Sequence, residues 1–84
     1  MKTYELIHAN GHPTTEHATA PDAYHKATRR YGVDIVMADE WEGERTDEYG
    51  TRTSRKLIWM DEAASTDDAG EHAVAQIVRI TTDA

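Results

Sequence analysis

Hydrophobic and polar residues alternate with a period of two at the start of the chain. From Lys2 to Ala9, side chains such as Leu6 fall on one side of the alternation and Ile7 falls on the other. This pattern is typical of a half-buried strand. Residues 10–13, Asn-Gly-His-Pro, break it because glycine and proline favour a turn and proline cannot donate to a sheet. The pattern predicts a first strand over 2–9, then a turn and a polar linker.

The period changes to that of a helix after Thr19. Thr19 and Asp22 resemble a capping box with a short acid, and Pro21 falls in the first turn, where its missing N–H costs nothing. Gly32 provides a left-handed stop. We therefore expect a helix from about residue 20 to Gly32, with Ala27 facing a sheet. Small residues and two tyrosines form its apolar stripe: Ala20, Ala23, Tyr24, Ala27 and Tyr31.

Three later segments return to strand patterns, over residues 33–41, 54–61 and 73–81. The second of these contains a continuous apolar run, which is typical of a central strand with both faces at least partly covered. Residues 67–70, Asp-Asp-Ala-Gly, predict a turn before the last strand. A short second helix over 62–73 is the alternative for that connection.

The order of elements is β-α-β-β-β, and the 84 residues make a single domain. This order predicts a two-layer α+β sandwich, in which one helix covers one face of a mostly antiparallel four-stranded sheet. The other face carries Trp59 or its neighbours, so it is a candidate for self-association or partner docking. Both a monomer and a homodimer fit this prediction.

Acidic residues outnumber basic ones by sixteen to nine, which gives a formal net charge of −7. Such a field repels nucleic acid and phospholipid surfaces, so we expect neither direct nucleic-acid binding nor membrane association. No apolar run reaches the length of a signal peptide or a membrane span, and cysteine is absent. The cytoplasm is the expected location. Solubility, or adaptation of a proteome to high salt, is an equally good explanation of the acidity.

The sequence carries no recognisable catalytic or cofactor motif. Ser54 and Ser65 stand outside any nucleophile motif, and the five glycines are scattered singly rather than in a phosphate-binding loop. A metal site from three histidines and Glu16 is conceivable, but a strand end, a turn and a linker do not preset those imidazoles. The histidines concerned are His8, His12 and His17. We expect no enzyme activity, no cofactor and no metal.

Residues 39–50, DEWEGERTDEYG, place six carboxylates around one arginine beside two aromatic residues. Carboxylates on a hairpin can occupy sites that a partner offers to phosphates, and aromatic side chains anchor interfaces. The alternative is a solvated hairpin loop whose tryptophan packs back onto the sheet. The predicted partner-binding residues are Asp39, Glu40, Trp41, Glu42, Glu44, Asp47, Glu48, Tyr49, Asp67, Asp68 and Glu71.

A tiny, cysteine-free, acidic α+β chain without a catalytic motif resembles the small host-defence inhibitors of phages and mobile elements, such as anti-CRISPR proteins. The resemblance lies in size, charge and architecture, and in the stretches DEWEGERTDEYG and DEAASTDDAGE. It implies stoichiometric binding to a basic groove of a nucleic-acid-handling complex, so the expected partner is a basic protein or nucleoprotein complex. The alternative is a structural or accessory protein of a phage or mobile element.

Two basic clusters make the predicted surface dipolar. One consists of Lys26, Arg29 and Arg30 on the predicted helix, and the other of Arg52, Arg55 and Lys56. These clusters either hold the acidic side of a partner or pair with the protein's own carboxylates.

Overall fold

The computed structural model describes residues 1–61 and 73–82, which form an α+β fold with one helix packed on an antiparallel sheet. This coarse architecture confirms the prediction. The elements are β1 (Lys2–His8), β2 (Thr15–His17), α1 (Ala20–Tyr31), β3 (Ile35–Met37), β4 (Glu42–Thr46), β5 (Arg52–Met60) and β6 (Ala75–Thr81).

Within the described residues the sheet has six strands, so the prediction of four was wrong. One additional strand, β2, lies in the segment predicted as a polar linker, and it pairs antiparallel with β1 through Leu6 and Thr15. Three residues are too few to show a period of two, so no sequence pattern reveals this strand. Its pairing satisfies the backbone groups that β1 would otherwise leave open at the sheet edge.

The other additional strand, β4, lies within the segment predicted as a loop. The predicted strand 33–41 contracts to β3, and β4 follows after a break; both pair with β5. From Met37 to Glu42 the chain advances five residues while β5 advances three, from Ile58 to Arg55. Together, β3 and β4 are thus one interrupted edge strand with two extra residues at the break. A second irregularity follows Glu42, where Gly43 has a φ of 65°.

The strand order is β2-β1-β6-β5-β3, with β4 beside β5 on the same edge as β3. Leu6, Ile77 and Ile58 come from the three central strands and are fully buried. Their register places them on one face, where Ala23 and Ala27 of α1 also have no exposed surface. The burial of Ala27 in this cluster confirms the prediction that it faces the sheet. The small alanine side chains let the helix and sheet backbones approach closely.

Both ends of α1 are capped as the sequence predicts. The Thr19 hydroxyl accepts a hydrogen bond from the Asp22 N–H at 3.2 Å. At the other end, the Gly32 N–H donates to the Thr28 carbonyl at 2.8 Å. Gly32 has φ 89° and ψ 179°, so its φ is positive as expected, but its conformation is extended rather than left-handed helical.

Two tyrosines tie α1 to separate parts of the sheet. The Tyr24 hydroxyl donates to the Ile35 carbonyl of β3 at 2.9 Å, and the Tyr31 hydroxyl donates to the Val74 carbonyl before β6 at 3.3 Å. These bonds fix the two ends of the helix over different strands.

Some predictions fall outside the described residues: the turn at 67–70, nearly all of the alternative helix at 62–73, and the candidate residues Asp67, Asp68 and Glu71. In the described part of the chain, no helix has the length and apolar character needed to cross a membrane.

Candidate functional site

Five of the predicted partner-binding carboxylates lie along one margin of the sheet. Asp39 and Glu40 occupy the break between β3 and β4, Glu42 and Glu44 lie on β4, and Glu48 lies in the turn that follows; all five are exposed. We call these five residues the acidic edge. Among the described strands, β4 pairs only with β5, so the acidic edge follows an outer strand of the sheet.

Most of the acidic edge is not neutralised by neighbouring cations. Glu42 Oε1 lies 3.4 Å from Arg55 Nε, and the two side chains are 52% and 51% exposed. An ion pair this exposed adds little to stability. Within residues 1–61 and 73–82, the other four carboxylates form no ion pair. The edge therefore keeps a local excess of negative charge.

Asp47 differs from these five because its carboxylate closes the turn. Its Oδ1 accepts hydrogen bonds from the Tyr49 N–H at 2.8 Å and the Thr51 N–H at 2.9 Å. The Gly50 N–H also donates to the Asp47 carbonyl, and Gly50 has a φ of 82°. Asp47 is thus a structural residue of the β4–β5 hairpin.

Trp41 packs back onto the sheet, as in the alternative interpretation of the acidic stretch. Its ring centroid lies 6.0 Å from that of Tyr4, 4.4 Å from Arg79 Cζ and 5.1 Å from Lys56 Nζ. These side chains lie on the helix-facing side of the sheet, and Trp41 is half-buried against the core. The indole extends the cover of this face and holds two cations against its ring.

Tyr49 is 85% exposed at the tip of the β4–β5 hairpin. It lies next to Glu48, so an exposed aromatic side chain stands beside the acidic edge. Of the two predicted aromatic anchors, Tyr49 is the one whose side chain is free for a partner.

A second charged region lies between α1 and the β1–β2 connection, and its residues come from two separate parts of the sequence. Here the Lys26, Arg29 and Arg30 cluster meets three residues distant in sequence, and together they line a pocket of about 300 Å³. The partners are His8, His12 and Thr15. The available signals were the helical spacing of the cations and the histidines around the first turn, but neither shows that the two groups meet.

His8 lies at the inner side of this pocket. It is buried, and its Nδ1 lies 2.5 Å from the Tyr31 hydroxyl. Its ring also meets the His12 ring edge to face, with centroids 5.9 Å apart. Burial lowers the pKa of His8, and the nearby charges of Arg30, His12 and Lys26 lower it further. Burial raises the pKa of Tyr31, against the opposing effect of Arg30.

The histidines are not arranged around a common point. His17 Nε2 forms a hydrogen bond of 2.7 Å with the Thr15 hydroxyl, and Glu16 alternates to the opposite face of β2. In the described ranges, no three His, Asp or Glu side chains are grouped to hold a metal ion. Ser54 is buried on β5, and within the described residues it forms no hydrogen bond with a histidine.

No protein-family model, curated protein or solved structure matches this chain. Its function is therefore inferred from the acidic edge, the hairpin and the charges described above.

Proposed function

We propose that this protein is a small, non-catalytic binding protein that docks its acidic edge on a basic surface of a partner protein or nucleoprotein complex. The observation that carries the proposal is a set of five exposed carboxylates along one outer margin of the sheet, four of them without an ion-pair partner in the described residues. Pairing with β5 fixes the backbone of Glu42 and Glu44, and the turn closed by Asp47 fixes that of Glu48.

The β4–β5 hairpin supports recognition in two ways. Asp47 closes the turn through its own carboxylate, so Glu48 and Tyr49 are presented from an ordered tip. Less conformational entropy is then lost on binding. Tyr49 supplies exposed aromatic area of the kind that anchors protein interfaces.

The partner surface that suits this edge is a groove that ordinarily receives phosphates. Exposed carboxylates, like phosphates, present negatively charged oxygens to arginine and lysine side chains. The protein then acts as a stoichiometric inhibitor that competes with nucleic acid, as its resemblance to anti-CRISPR proteins implies. The alternative function is a structural or accessory role, in which the acidic edge serves only solubility.

The test begins with affinity capture of the partner from a host lysate and its purification. Association rates are then measured for the unaltered protein and for two variants with matched changes of charge. The edge variant carries Asp39→Asn, Glu40→Gln, Glu44→Gln and Glu48→Gln, leaving Asp47 and the Glu42–Arg55 ion pair intact. The control variant carries Glu5→Gln, Glu16→Gln, Asp34→Asn and Asp61→Asn, none of which belongs to the acidic edge.

Association with the partner should slow by at least about tenfold in the edge variant and should depend less on salt. The control variant should associate at nearly the original rate, because local charge steers docking. In addition, the unaltered protein should displace nucleic acid from the partner at a ratio of one to one. Equal rates for the two variants, or binding that leaves nucleic acid in place, would favour the accessory function instead.

A further inference from the structure

The strongest unexplained feature of the molecule is the pocket between the C-terminal half of α1 and the β1–β2 connection. Lys26, Arg29 and Arg30 share one face of the helix because they are three and four residues apart. His8 lies at the end of β1, His12 in the turn and Thr15 at the start of β2. We call these six residues the basic pocket.

The basic pocket has a charge opposite to that of the whole chain. The chain carries a formal net charge of −7, yet three permanent cations and two imidazoles line the pocket, and no carboxylate of the described residues does. In the described part of the chain, no carboxylate forms an ion pair with Lys26, Arg29 or Arg30. Some of the other cations, in contrast, contact partners within the described residues.

Two of those other cations, Lys56 and Arg79, lie over Trp41, and a third, Arg55, pairs with Glu42. In the described residues, Lys26, Arg29 and Arg30 therefore do not pair with the protein's own carboxylates, which was the alternative interpretation of this cluster.

A purely structural role does not account for the cluster. Arg29 and Arg30 lie in the last turn of α1, where cations offset the negative end of the helix dipole. That role requires neither Lys26, one turn earlier, nor two imidazoles from another part of the chain. Positive charges held close together repel one another, and a bound anion would offset this repulsion.

We propose that the basic pocket binds the phosphate groups of a small molecule, such as a phosphate ester that carries two or more negative charges. Arginine matches phosphate oxygens with paired N–H donors, and lysine supplies a point charge. The His12 ring adds a donor from the opposite wall, where the Thr15 hydroxyl also lies. A volume of about 300 Å³ is large enough for a phosphate or diphosphate group. A long polyanion is disfavoured because the whole chain carries a formal net charge of −7.

His8 makes the occupancy of the pocket sensitive to pH. The groups that face it are Lys26, Arg30 and Tyr31 from α1, and His12 from the turn. On the β6 side it is register-paired with Ala75, which carries no charge. In the empty pocket the surrounding cations favour neutral His8. A bound dianion favours the protonated ring, so anion binding and proton uptake are linked.

The test is calorimetric titration of the full chain with sodium pyrophosphate and with inorganic phosphate at constant ionic strength. Pyrophosphate should bind at a single saturable site, more tightly than phosphate. In the pocket variant, Lys26→Gln with Arg29→Gln, two charge-assisted contacts are removed, so binding should weaken by about 10- to 100-fold. The matched control is Lys2→Gln with Arg45→Gln, two exposed cations outside the pocket. It should change the affinity by less than about twofold.

A pH arm uses sulfate, which stays divalent across the range. Its affinity should rise several-fold from about pH 8 to about pH 6, the range in which histidines gain protons. Equal weakening in the pocket and control variants would show a response to net charge only and would overturn the proposal. Absence of a saturable pyrophosphate site, sulfate affinity independent of pH, or saturable binding of a single-stranded oligonucleotide but not of pyrophosphate would also overturn it.

Discussion

Individual carboxylates of this chain differ in what they do, although the sequence presents them as one acidic run. Asp47 uses its side chain to bind two backbone N–H groups of the β4–β5 turn, whereas the adjacent Glu48 is exposed and forms no ion pair within the described residues. In the composition, each of the two counts only as one negative charge. Only the direction of each side chain separates a structural acid from one that is free for recognition.

Replacing Asp47 with alanine should therefore destabilise the fold, whereas Glu48→Ala should not. The loss of two exposed side-chain hydrogen bonds costs about 1 kcal/mol, which lowers Tm by about 4–8 °C in a domain of this size. Asp47→Asn retains Oδ1 and should recover most of that loss. Thermal unfolding followed by circular dichroism measures all three variants. Equal Tm values for Asp47→Ala and Glu48→Ala would show that the turn does not depend on the carboxylate.

His8 should make stability depend on pH. Its pKa is lowered by burial and by nearby cations, so the unfolded chain takes up this proton more readily than the folded one. The contribution of neutral His8 to stability is complete above the ordinary pKa of 6.5 and is lost as the pH falls below it. His8→Asn keeps an amide near the Tyr31 hydroxyl but cannot titrate. It should show a smaller fall in Tm between about pH 7.5 and about pH 5.5.

The matched control for this comparison is His25→Asn, which removes an exposed histidine from α1. Its pH dependence should equal that of the unaltered protein. A buffer without phosphate or sulfate keeps the basic pocket free of anions during the measurement. If His8→Asn loses stability on acidification as steeply as the unaltered protein does, His8 is not the responsible group.

At the scale of elements, two different structures cover the helix-facing side of the sheet. Ala23 and Ala27 bring α1 close to the central strands, and Trp41 covers the side chains of Tyr4 and Arg79 beyond it. Trp41 is placed there because the edge strand breaks between β3 and β4. Trp41 in the break therefore covers a part of this sheet face in addition to the part that α1 covers.

A larger side chain at position 27 should disturb the first of these contacts. Ala27 has no exposed surface, so Ala27→Leu inserts three carbon atoms into a filled interface and should cost roughly 1–3 kcal/mol. His25→Leu places the same side chain on the exposed side of the helix and should have a much smaller effect. Urea unfolding measures both. Equal midpoints for the two variants would mean that α1 packs through another face.

Truncation of Trp41 should disturb the second contact. Trp41→Ala removes a half-buried ring that holds Lys56 and Arg79, and should destabilise the fold by roughly 1–3 kcal/mol. Tyr49→Ala is the control, because its side chain is 85% exposed and a substitution there should change stability by no more than about 0.5 kcal/mol. If Trp41→Ala unfolds with the same free energy as the unaltered protein, the packing of the indole on the sheet does not contribute to stability.

The whole molecule combines a negative net charge with an uneven distribution of that charge. The acidic edge follows the outer strand made of β3 and β4, and the basic pocket lies between α1 and the β1–β2 connection. A chain with a net charge of −7 repels itself, and the repulsion opposes the compact state more than it opposes the unfolded one. Salt screens this repulsion.

Raising NaCl from about 20 mM to about 500 mM should therefore increase Tm by a few degrees. In the edge variant, four neutralised carboxylates change the net charge from −7 to −3, so the increase should be smaller. Differential scanning calorimetry measures both proteins. A Tm that falls with added salt would show that attractive ion pairs outweigh the repulsion.

The sequence by itself determined the parts of this protein that depend on neighbouring residues. The cap at Thr19, the helix end with positive φ at Gly32 and the buried stripe through Ala27 follow from local hydrogen bonding and helical spacing, and the structure confirms these, although Gly32 is not left-handed helical as predicted. The long strands β1, β5 and β6 were predicted to within about two residues at each end, because β1 and β6 show a period of two and β5 contains a continuous apolar run.

Tertiary structure alone decided the short strands and the sites. The strands β2 and β4 exist because β1 and β5 offer open edges to them, and a segment of three to five residues is too short to show a clear period of two. Likewise, the fold packs Trp41 against Tyr4 and brings the cations of α1 to His8. These contacts depend on how the elements cross, because residues that meet in space are far apart along the chain.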